Sequence, residues 1–175
     1  MKAYIVKKSK TQGNGLFATR NIKRGELILR CDIRKLKSYS EKEVQRNPKL
    51  QSQHCDYIGH NRYVMDFSPA SYINHSCDPN VYVKNRSIKV KDYYSFRDIK
   101  KGEEITVDYA AGAADQINAK NPWVLYCKCG SKSCRKKITG DFFKLPIKLQ
   151  RIYYAYLPPS IKRGYKKQLD KIRLL

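Results

Sequence analysis

Three closely spaced cysteines place the tightest constraint on how this chain can fold. They stand in the segment Cys127-Lys-Cys129-Gly-Ser-Lys-Ser-Cys134, where Gly130 permits the sharp turn that lets three thiolates converge. A structural zinc ion takes four ligands in a tetrahedron, commonly all cysteine sulfur, so the cluster is one ligand short. The candidates for the fourth ligand are Cys31, Cys55 and Cys77, of which Cys77 lies in a turn-prone segment. The alternative is a loop that holds three unrelated cysteines.

The charge is strongly positive and unevenly distributed. The chain of 175 residues has 37 Lys and Arg against 15 Asp and Glu, a formal net charge of +22. Residues 1–50 hold 14 basic and 4 acidic residues, residues 51–134 hold 11 and 9, and residues 135–175 hold 12 and 2. Such basic flanks fit an anionic partner, most simply nucleic acid or a protein bound to it, although a generally lysine-rich composition would produce the same charge.

The sequence predicts an intracellular protein. It contains no run of 18 apolar residues that could span a membrane, and the first residues lack the apolar core of a signal peptide. Cysteines are kept reduced inside most cells, so clustered cysteines there indicate a metal site before a disulfide. We expect a location in the cytoplasm or nucleoid, or in a nucleus, depending on the organism. The oligomeric state stays open, with a monomer favoured.

Short apolar runs broken by turns predict a mainly β body for residues 1–110. The expected strands are Glu26–Arg30, Tyr63–Phe67, Asn80–Lys84, Ser87–Lys91 and Ile105–Tyr109. Ser40 and Glu43 form a capping box that predicts a short helix from about residue 41 to Pro48, and residues 113–120 fit either a helix or a loop. After Pro146, apolar spacing predicts one helix up to Pro158 and a second, amphipathic one carrying Ile161, Tyr165, Leu169 and Ile172.

Four segments, in chain order, resemble the SET-domain protein-lysine methyltransferase family. Gly13-Asn14-Gly15-Leu16 resembles its first motif, Tyr72 to Asn80 resembles its asparagine-histidine motif, and Gly102 to Tyr109 resembles its closing motif. The cysteine cluster resembles the post-SET segment that follows the domain in one branch of the family. The resemblance implies a mainly β (α+β) SET fold of several short sheets with a pseudoknot core, a post-SET zinc loop and C-terminal helices. It also implies a SET domain at residues 1–112, a post-SET segment at 113–137 and a basic helical extension at 138–175.

The resemblance further implies two ligands and the residues that hold them. S-adenosylmethionine would lie against the backbone of the first motif, the asparagine-histidine pair, and aromatic residues near the cysteine cluster. The residues carried over as cofactor-binding are Gly13, Asn14, Gly15, Leu16, Asn74, His75, Tyr109 and Trp123. For Trp123, packing in the protein interior is an equally ordinary role. A structural zinc ion would be held by Cys77, Cys127, Cys129 and Cys134.

The implied reaction is methylation of a lysine amine in a narrow aromatic channel. Tyr109 is carried over as the catalytic residue and Tyr57 as a second channel tyrosine. The substrate would be a histone, a nucleoid protein or another basic protein. The competing hypothesis is a zinc-stabilised, basic module that binds nucleic acid or chromatin and has lost catalysis. A third is that the chain mainly methylates its own lysines.

Overall fold

The mainly β architecture predicted for the body of the chain is confirmed in the structure, a computed structural model that describes residues 2–52, 54–58, 62–87, 89–112, 117 and 123–174. The strands within this part are β1 Tyr4–Lys8, β2 Asn14–Ala18, β3 Leu27–Asp32, β4 Ser38–Ser40, β5 Cys55–Tyr57, β6 Arg62–Met65, β7 Asn74–His75, β8 Val81–Ser87, β9 Val90–Ser95, β10 Glu104–Val107, β11 Val124–Tyr126 and β12 Lys137–Thr139. The helices are α1 Glu41–Arg46, α2 Tyr109–Gly112, α3 Ile147–Tyr154, α4 Pro159–Gly164 and α5 Lys166–Leu174.

The strands form four small sheets. Their orders are β1-β2-β10-β7, β3-β9-β8, β4-β6-β5 and β11-β12. All pairings are antiparallel except that of β10 with β7, which is parallel and joins Thr106 to Asn74 and Val107 to His75. A parallel pair cannot be closed by a tight turn, so two segments about thirty residues apart in the chain end side by side. This one pairing positions most of the site described below.

Two hydrophobic cores support the sheets and the helices separately. The first lies between the sheets and includes Leu16, Ile22, Val64, Val81 and Ile105, each of which is almost completely buried. The second lies under the C-terminal helices and joins them to the end of α2; its buried members are Ala110, Ile117, Phe142, Leu145, Tyr153, Leu157, Leu169 and Ile172. The C-terminal helices are therefore packed onto the β body and do not form a separate tail.

Helix α1 confirms the capping prediction. Its N-cap Ser40 accepts a hydrogen bond from the Glu43 amide at 3.2 Å, and the Glu43 carboxylate accepts one from the Ser40 amide at 2.6 Å. The helix ends before Pro48, which cannot continue it. The prediction for residues 113–120 falls almost entirely outside the described residues.

Several predicted bounds need correction. The strand expected to reach Phe67 ends at Met65, and the helix expected to reach Pro158 ends at Tyr154. Ser87 ends β8, and its hydroxyl accepts a hydrogen bond from the Lys89 amide, so a turn separates it from β9. The strand predicted to run to Tyr109 ends at Val107. There the Asp108 side chain accepts from the Ala110 amide at 3.1 Å, which starts a helical turn at Tyr109.

The helix predicted to carry Ile161 through Ile172 is two helices. Helix α4 ends at Gly164, and Tyr165 has φ −116° and ψ 26°, outside the α-helical range. Glycine is a poor helix former, which favours a break at this point. The apolar face nevertheless reaches the second core through Leu169 and Ile172. No helix in the described part of the chain is both long and apolar enough for a membrane span.

Candidate active site and metal centre

The parallel pair β7–β10 brings the asparagine-histidine segment against the closing segment. The Tyr109 hydroxyl donates a hydrogen bond to the Ile73 carbonyl at 2.9 Å, and the Tyr109 amide donates to Nδ1 of His75 at 3.2 Å. The rings of His75 and Tyr109 are 5.3 Å apart. The structure thus brings together three residues predicted for the site, Asn74, His75 and Tyr109.

Asn74 is fixed by the chain itself. Its Nδ2 donates to the carbonyls of Gln12 and Asn14, at 3.0 and 3.2 Å, and to Oε1 of Glu104 at 2.8 Å. A second Glu104 oxygen accepts from the Ser9 hydroxyl at 3.0 Å. An amide nitrogen has two hydrogens, so these acceptors use its full donor capacity. Among the described residues nothing donates to Oδ1 of Asn74, which leaves this oxygen to accept from a ligand.

The second glycine of the first motif lies in a tightly packed environment. A Cβ at Gly15 would overlap Oε1 of Glu104 and lie 3.0 Å from its Cδ and 3.1 Å from Nδ2 of Asn74. Gly15 is therefore required by packing inside the protein. Gly13 has a positive φ of 47°, and a Cβ there would meet nothing within 4 Å. Leu16 is completely buried, so its side chain faces the protein interior, and contact of Leu16 with a ligand stays a prediction.

Both ring side chains of the site are neutral near pH 7. Burial lowers the pKa of His75 to about 4, against the opposing effect of the Asp108 carboxylate. Burial also raises the pKa of Tyr109 to about 12, assisted by the charges of Asp56 and Glu104. Tyr109 therefore keeps its proton, and its ring remains partly exposed, at 37%.

Tyr57 and Trp123 were predicted as site residues from the same resemblance. Tyr57 lies on β5 beside Asp56, whose charge acts on Tyr109, and its ring contacts that of Tyr63 at 5.3 Å. Trp123 is half-buried and packs against the hydrophobic cluster formed by Cys77, Cys127 and Ile138. That packing fits the interior role considered for Trp123; contact of either residue with a ligand stays a prediction.

The four predicted zinc ligands come together. The sulfur atoms of Cys77, Cys127, Cys129 and Cys134 all lie within 4.8 Å of one another, and those of Cys77 and Cys127 are 3.8 Å apart. Tetrahedral zinc with bonds of about 2.3 Å places its sulfurs about 3.8 Å apart. None of the six cysteines, all of them in the described part of the chain, forms a disulfide. Cys31 and Cys55 lie outside the cluster.

The surroundings of the cluster suit thiolates. The Cys77 amide donates a hydrogen bond to Sγ of Cys129 at 3.5 Å, and the Cys129 amide donates one to Sγ of Cys127 at 3.4 Å. The backbone amide and Nε of Arg135 both donate to Cys77 at 3.4 Å. The amide and hydroxyl donors around Cys129 lower the pKa of its thiol against the effect of burial, whereas burial raises the pKa of the neighbouring Cys127 thiol. The donor set and its charge balance therefore fit a divalent, thiolate-bound metal.

Four polar residues in and around these two sites were not predicted as part of them: Asp108, Arg135, Tyr153 and Glu104. Asp108 is only 4% exposed; its carboxylate accepts hydrogen bonds from Nη2 of Arg135 at 2.7 Å and from the Tyr153 hydroxyl at 3.2 Å. Glu104, described above, was quoted only as part of a motif. The available signal was chemical: a buried tyrosine hydroxyl or carboxylate needs a partner, but sequence spacing does not say which.

Comparison with known proteins places this geometry in a family. A family model described as the SET domain matches residues 13–110, more than half of the chain. Among curated proteins, the histone-lysine N-methyltransferase trithorax of Drosophila virilis is 33% identical over 144 residues, covering 77% of this chain and 4% of its own length. The histone-lysine N-methyltransferase set-2 of Caenorhabditis elegans is 31% identical over 137 residues, covering 73% of this chain and 9% of its own.

The chain thus spans less than a tenth of the length of these relatives. Among solved structures, a humanized mutant of the Chaetomium thermophilum Polycomb Repressive Complex 2 bound to the inhibitor GSK126 is 27% identical, with a TM-score of 0.48. That match covers 62% of this chain and 15% of the other. The extent of the family match, together with the juxtaposed motifs, shows that the chain belongs to the SET domain family.

Proposed function

We propose that this chain is an S-adenosylmethionine-dependent protein-lysine N-methyltransferase that acts on histones or other basic proteins associated with nucleic acid. The observation that carries the proposal is the parallel pairing of β7 with β10, which sets Asn74, His75 and Tyr109 side by side. Relatives named as histone-lysine N-methyltransferases support the same reaction. In a cell with a nucleus, the site of action would be chromatin.

The described residues fit the methyl donor. Asn74 would accept from its ammonium group through Oδ1, the end of the amide that the protein leaves open. Backbone groups of Gly13, Asn14 and His75 would contact the remainder, because the side chain of Leu16 is buried and the surroundings of Gly13 are open. When bound, the donor supplies a sulfonium methyl group that a lysine amine can attack.

The task of the protein is to deliver a neutral lysine amine. A free lysine with a pKa of about 10.4 loses its proton at pH 7 at a cost of about 4.6 kcal/mol. Transfer from water into a channel lined by aromatic residues, next to a sulfonium, disfavours the ammonium form. Tyr109 donates its own proton to the Ile73 carbonyl, so its hydroxyl oxygen would be left to accept a hydrogen bond from the lysine amine. Tyr109 would thus orient the amine and would not act as its base.

We assign the zinc a structural role. Four thiolates would fill its coordination shell and leave no position for water. Cys77 belongs to the asparagine-histidine segment, whereas the other three ligands follow the SET domain, so the ion would tie the post-SET residues 113–137 to the core. We also propose the three-part division into residues 1–112, 113–137 and 138–175.

Nucleic acid is a second proposed partner, supported by the charge of the C-terminal helices. Residues 147–174 carry eight basic residues and one acidic residue, Asp170, which pairs with Lys166. Arg163, Lys167 and Lys171 are exposed on the surface of these helices. Binding to duplex DNA should weaken steeply with salt, and Lys167→Glu with Lys171→Glu should reduce both affinity and slope. If the salt dependence of DNA affinity were unchanged in this double variant, nucleic acid would be ruled out as a partner of these helices.

The reaction can be tested with labelled S-adenosylmethionine and a panel of histones and other basic proteins. We expect transfer to a lysine of at least one panel protein, reduced about a hundredfold or more by Tyr109→Phe, the range for losing a well-placed polar group. Tyr126→Phe is the matched control, because Tyr126 is 73% exposed.

Transfer that Tyr109→Phe leaves unchanged would refute the assignment of Tyr109. Label found only on the chain itself would favour self-methylation. No transfer at all, combined with a salt-sensitive DNA shift, would favour the inactive binding module.

A further inference from the structure

The C-terminal helices are packed directly against the turn that carries Tyr109. Ala110 and the half-buried Ala111, both in α2, belong to the same hydrophobic cluster as Tyr153 of α3 and Leu169 of α5. The family match ends at residue 110, so the helical residues of this cluster lie beyond it. Their position raises the question of what they contribute to the site.

One polar contact crosses this interface. Tyr153 is only 5% exposed, and its hydroxyl donates a hydrogen bond to Oδ2 of Asp108 at 3.2 Å. The other oxygen, Oδ1, accepts from Nη2 of Arg135 at 2.7 Å and from the Ala110 amide at 3.1 Å. Burial and the charge of Asp108 raise the pKa of Tyr153, so its hydroxyl remains a proton donor. Asp108 is thus held from the helical extension, from the post-SET segment and from its own helical turn.

Asp108 in turn fixes the backbone of the helical turn that contains Tyr109. Its side chain receives the Ala110 amide, and its carbonyl receives the Ala111 amide at 3.1 Å, which together set the first turn of α2. The Tyr109 amide then reaches Nδ1 of His75, and its hydroxyl reaches the Ile73 carbonyl. A carboxylate that can rotate would loosen this turn and the direction of the Tyr109 ring with it.

We propose that Tyr153 is a positioning residue for Tyr109, and that the helices within residues 138–174 are part of the catalytic unit. The proposal rests on the methyltransferase function proposed above. The Tyr153 hydroxyl holds Asp108 in the rotamer that caps α2, so the helical extension sets the geometry of the methyl-transfer centre without touching either substrate.

The test compares Tyr153→Phe with the wild type and with Tyr165→Phe. Tyr165 lies in the same helical region, and its hydroxyl makes no hydrogen bond within the described residues, so this control removes an equivalent atom without cutting the network. Amide hydrogen exchange at Ala110 and Ala111 reports the turn directly. In Tyr153→Phe we expect this exchange to be about tenfold faster, as for a loosened local structure.

Turnover gives a second readout. We expect kcat of Tyr153→Phe to fall about tenfold, which corresponds to about 1.4 kcal/mol, while KM for the methyl donor changes less than about twofold. A larger loss is not expected, because Arg135 and the Ala110 amide still bind the other carboxylate oxygen. Tyr165→Phe should leave both readouts unchanged.

A double variant keeps the test decisive if the single substitution weakens the fold. In an Asp108→Asn background the hydroxyl loses its charged partner, so Tyr153→Phe should add little to the loss of kcat. Fully additive effects would overturn the proposal, as would unchanged exchange, or faster exchange with unchanged kcat.

The exchange measurement needs no turnover, which separates this proposal from the one it rests on. A wild type that transfers no methyl group refutes the proposed function, and the positioning role falls with it. The exchange data from the same samples would still show whether Tyr153 holds the turn.

Discussion

Replacing Gly15 by alanine should disturb the site from inside the protein. The added Cβ would overlap Oε1 of Glu104 and crowd Nδ2 of Asn74. The Glu104 carboxylate is the end of a flexible side chain and can move away. It cannot move without stretching its bonds from Asn74, at 2.8 Å, and from the Ser9 hydroxyl, at 3.0 Å. The substitution therefore exchanges a steric overlap for lost hydrogen bonds.

The size of the effect follows from those two bonds. A hydrogen bond to a charged group contributes about 1.5–3 kcal/mol, and partial exposure places both bonds at the lower end. We therefore expect Gly15→Ala to lower the free energy of unfolding by about 2–3 kcal/mol. Affinity for S-adenosylmethionine should also fall, because Oδ1 of Asn74 moves with the amide.

A double-mutant cycle in urea unfolding isolates the cause. Glu104→Ala removes the carboxylate that the new Cβ meets, so in that background Gly15→Ala should cost less than about 1 kcal/mol. Gly13→Ala is the control: a Cβ there meets nothing, and the cost of about 1 kcal/mol for a residue with positive φ should be the same with or without Glu104.

The result that would refute the reasoning is additivity. If Gly15→Ala costs the same in the Glu104→Ala background as in the wild type, the carboxylate is not what excludes a side chain at residue 15. Calorimetric titration with S-adenosylmethionine would then decide whether the glycine instead admits the cofactor, as its motif first suggested.

Three further outcomes can be measured on the same protein. Arg30 and Arg86 hold the pKa of buried Asp92 below its usual range, so Asp92→Asn should destabilise the fold by about 2 kcal/mol at pH 7. Acid unfolding should show this difference shrinking as the pH falls below about 3.9, where Asp92 in the unfolded chain begins to bind a proton. The difference should vanish only below the lowered pKa of folded Asp92, where the native carboxyl is neutral too. Chelation should release about one zinc per chain and lower the Tm, whereas Cys134→Ser protein should purify with little metal; full metal content in that variant would remove Cys134 from the ligand set. Finally, kcat/KM should rise about tenfold per pH unit from pH 6 to 8, following the neutral lysine, and a bell-shaped profile would show that an enzyme group titrates.

The sequence predicts this fold well wherever local chemistry decides the structure. The Ser40–Glu43 capping box and the break at Pro158 both follow from side-chain and backbone preferences within a few residues. The cysteine cluster was equally predictable, since three potential metal ligands within eight residues leave few alternatives to a metal site. Its fourth ligand, fifty residues away, came from family resemblance, because spacing alone left three cysteines open.

Long-range polar contacts are what the sequence could not predict. Nothing near Tyr153 indicates that its hydroxyl meets Asp108, since the apolar spacing of α3 explains that residue as core. The prediction of a strand running through Tyr109 was wrong for a related reason. Its apolar alternation continues past Val107, but the buried Asp108 carboxylate captures the next amide and turns the chain into α2.

The same long-range contacts explain how the site can work without an acid–base pair. Tyr109 and His75 are both neutral near pH 7, because burial moves the pKa of each away from that range. Neither group then has to exchange a proton during transfer, and what remains for the protein is placement of a neutral amine. Placement requires fixed side chains. Here the Asn74 amide is held by Glu104 and the Asp108 carboxylate by Tyr153, each from a different segment of the chain. A site of this kind loses rate through small displacements, so its sensitive positions include residues such as Glu104 and Tyr153 that need not touch a substrate.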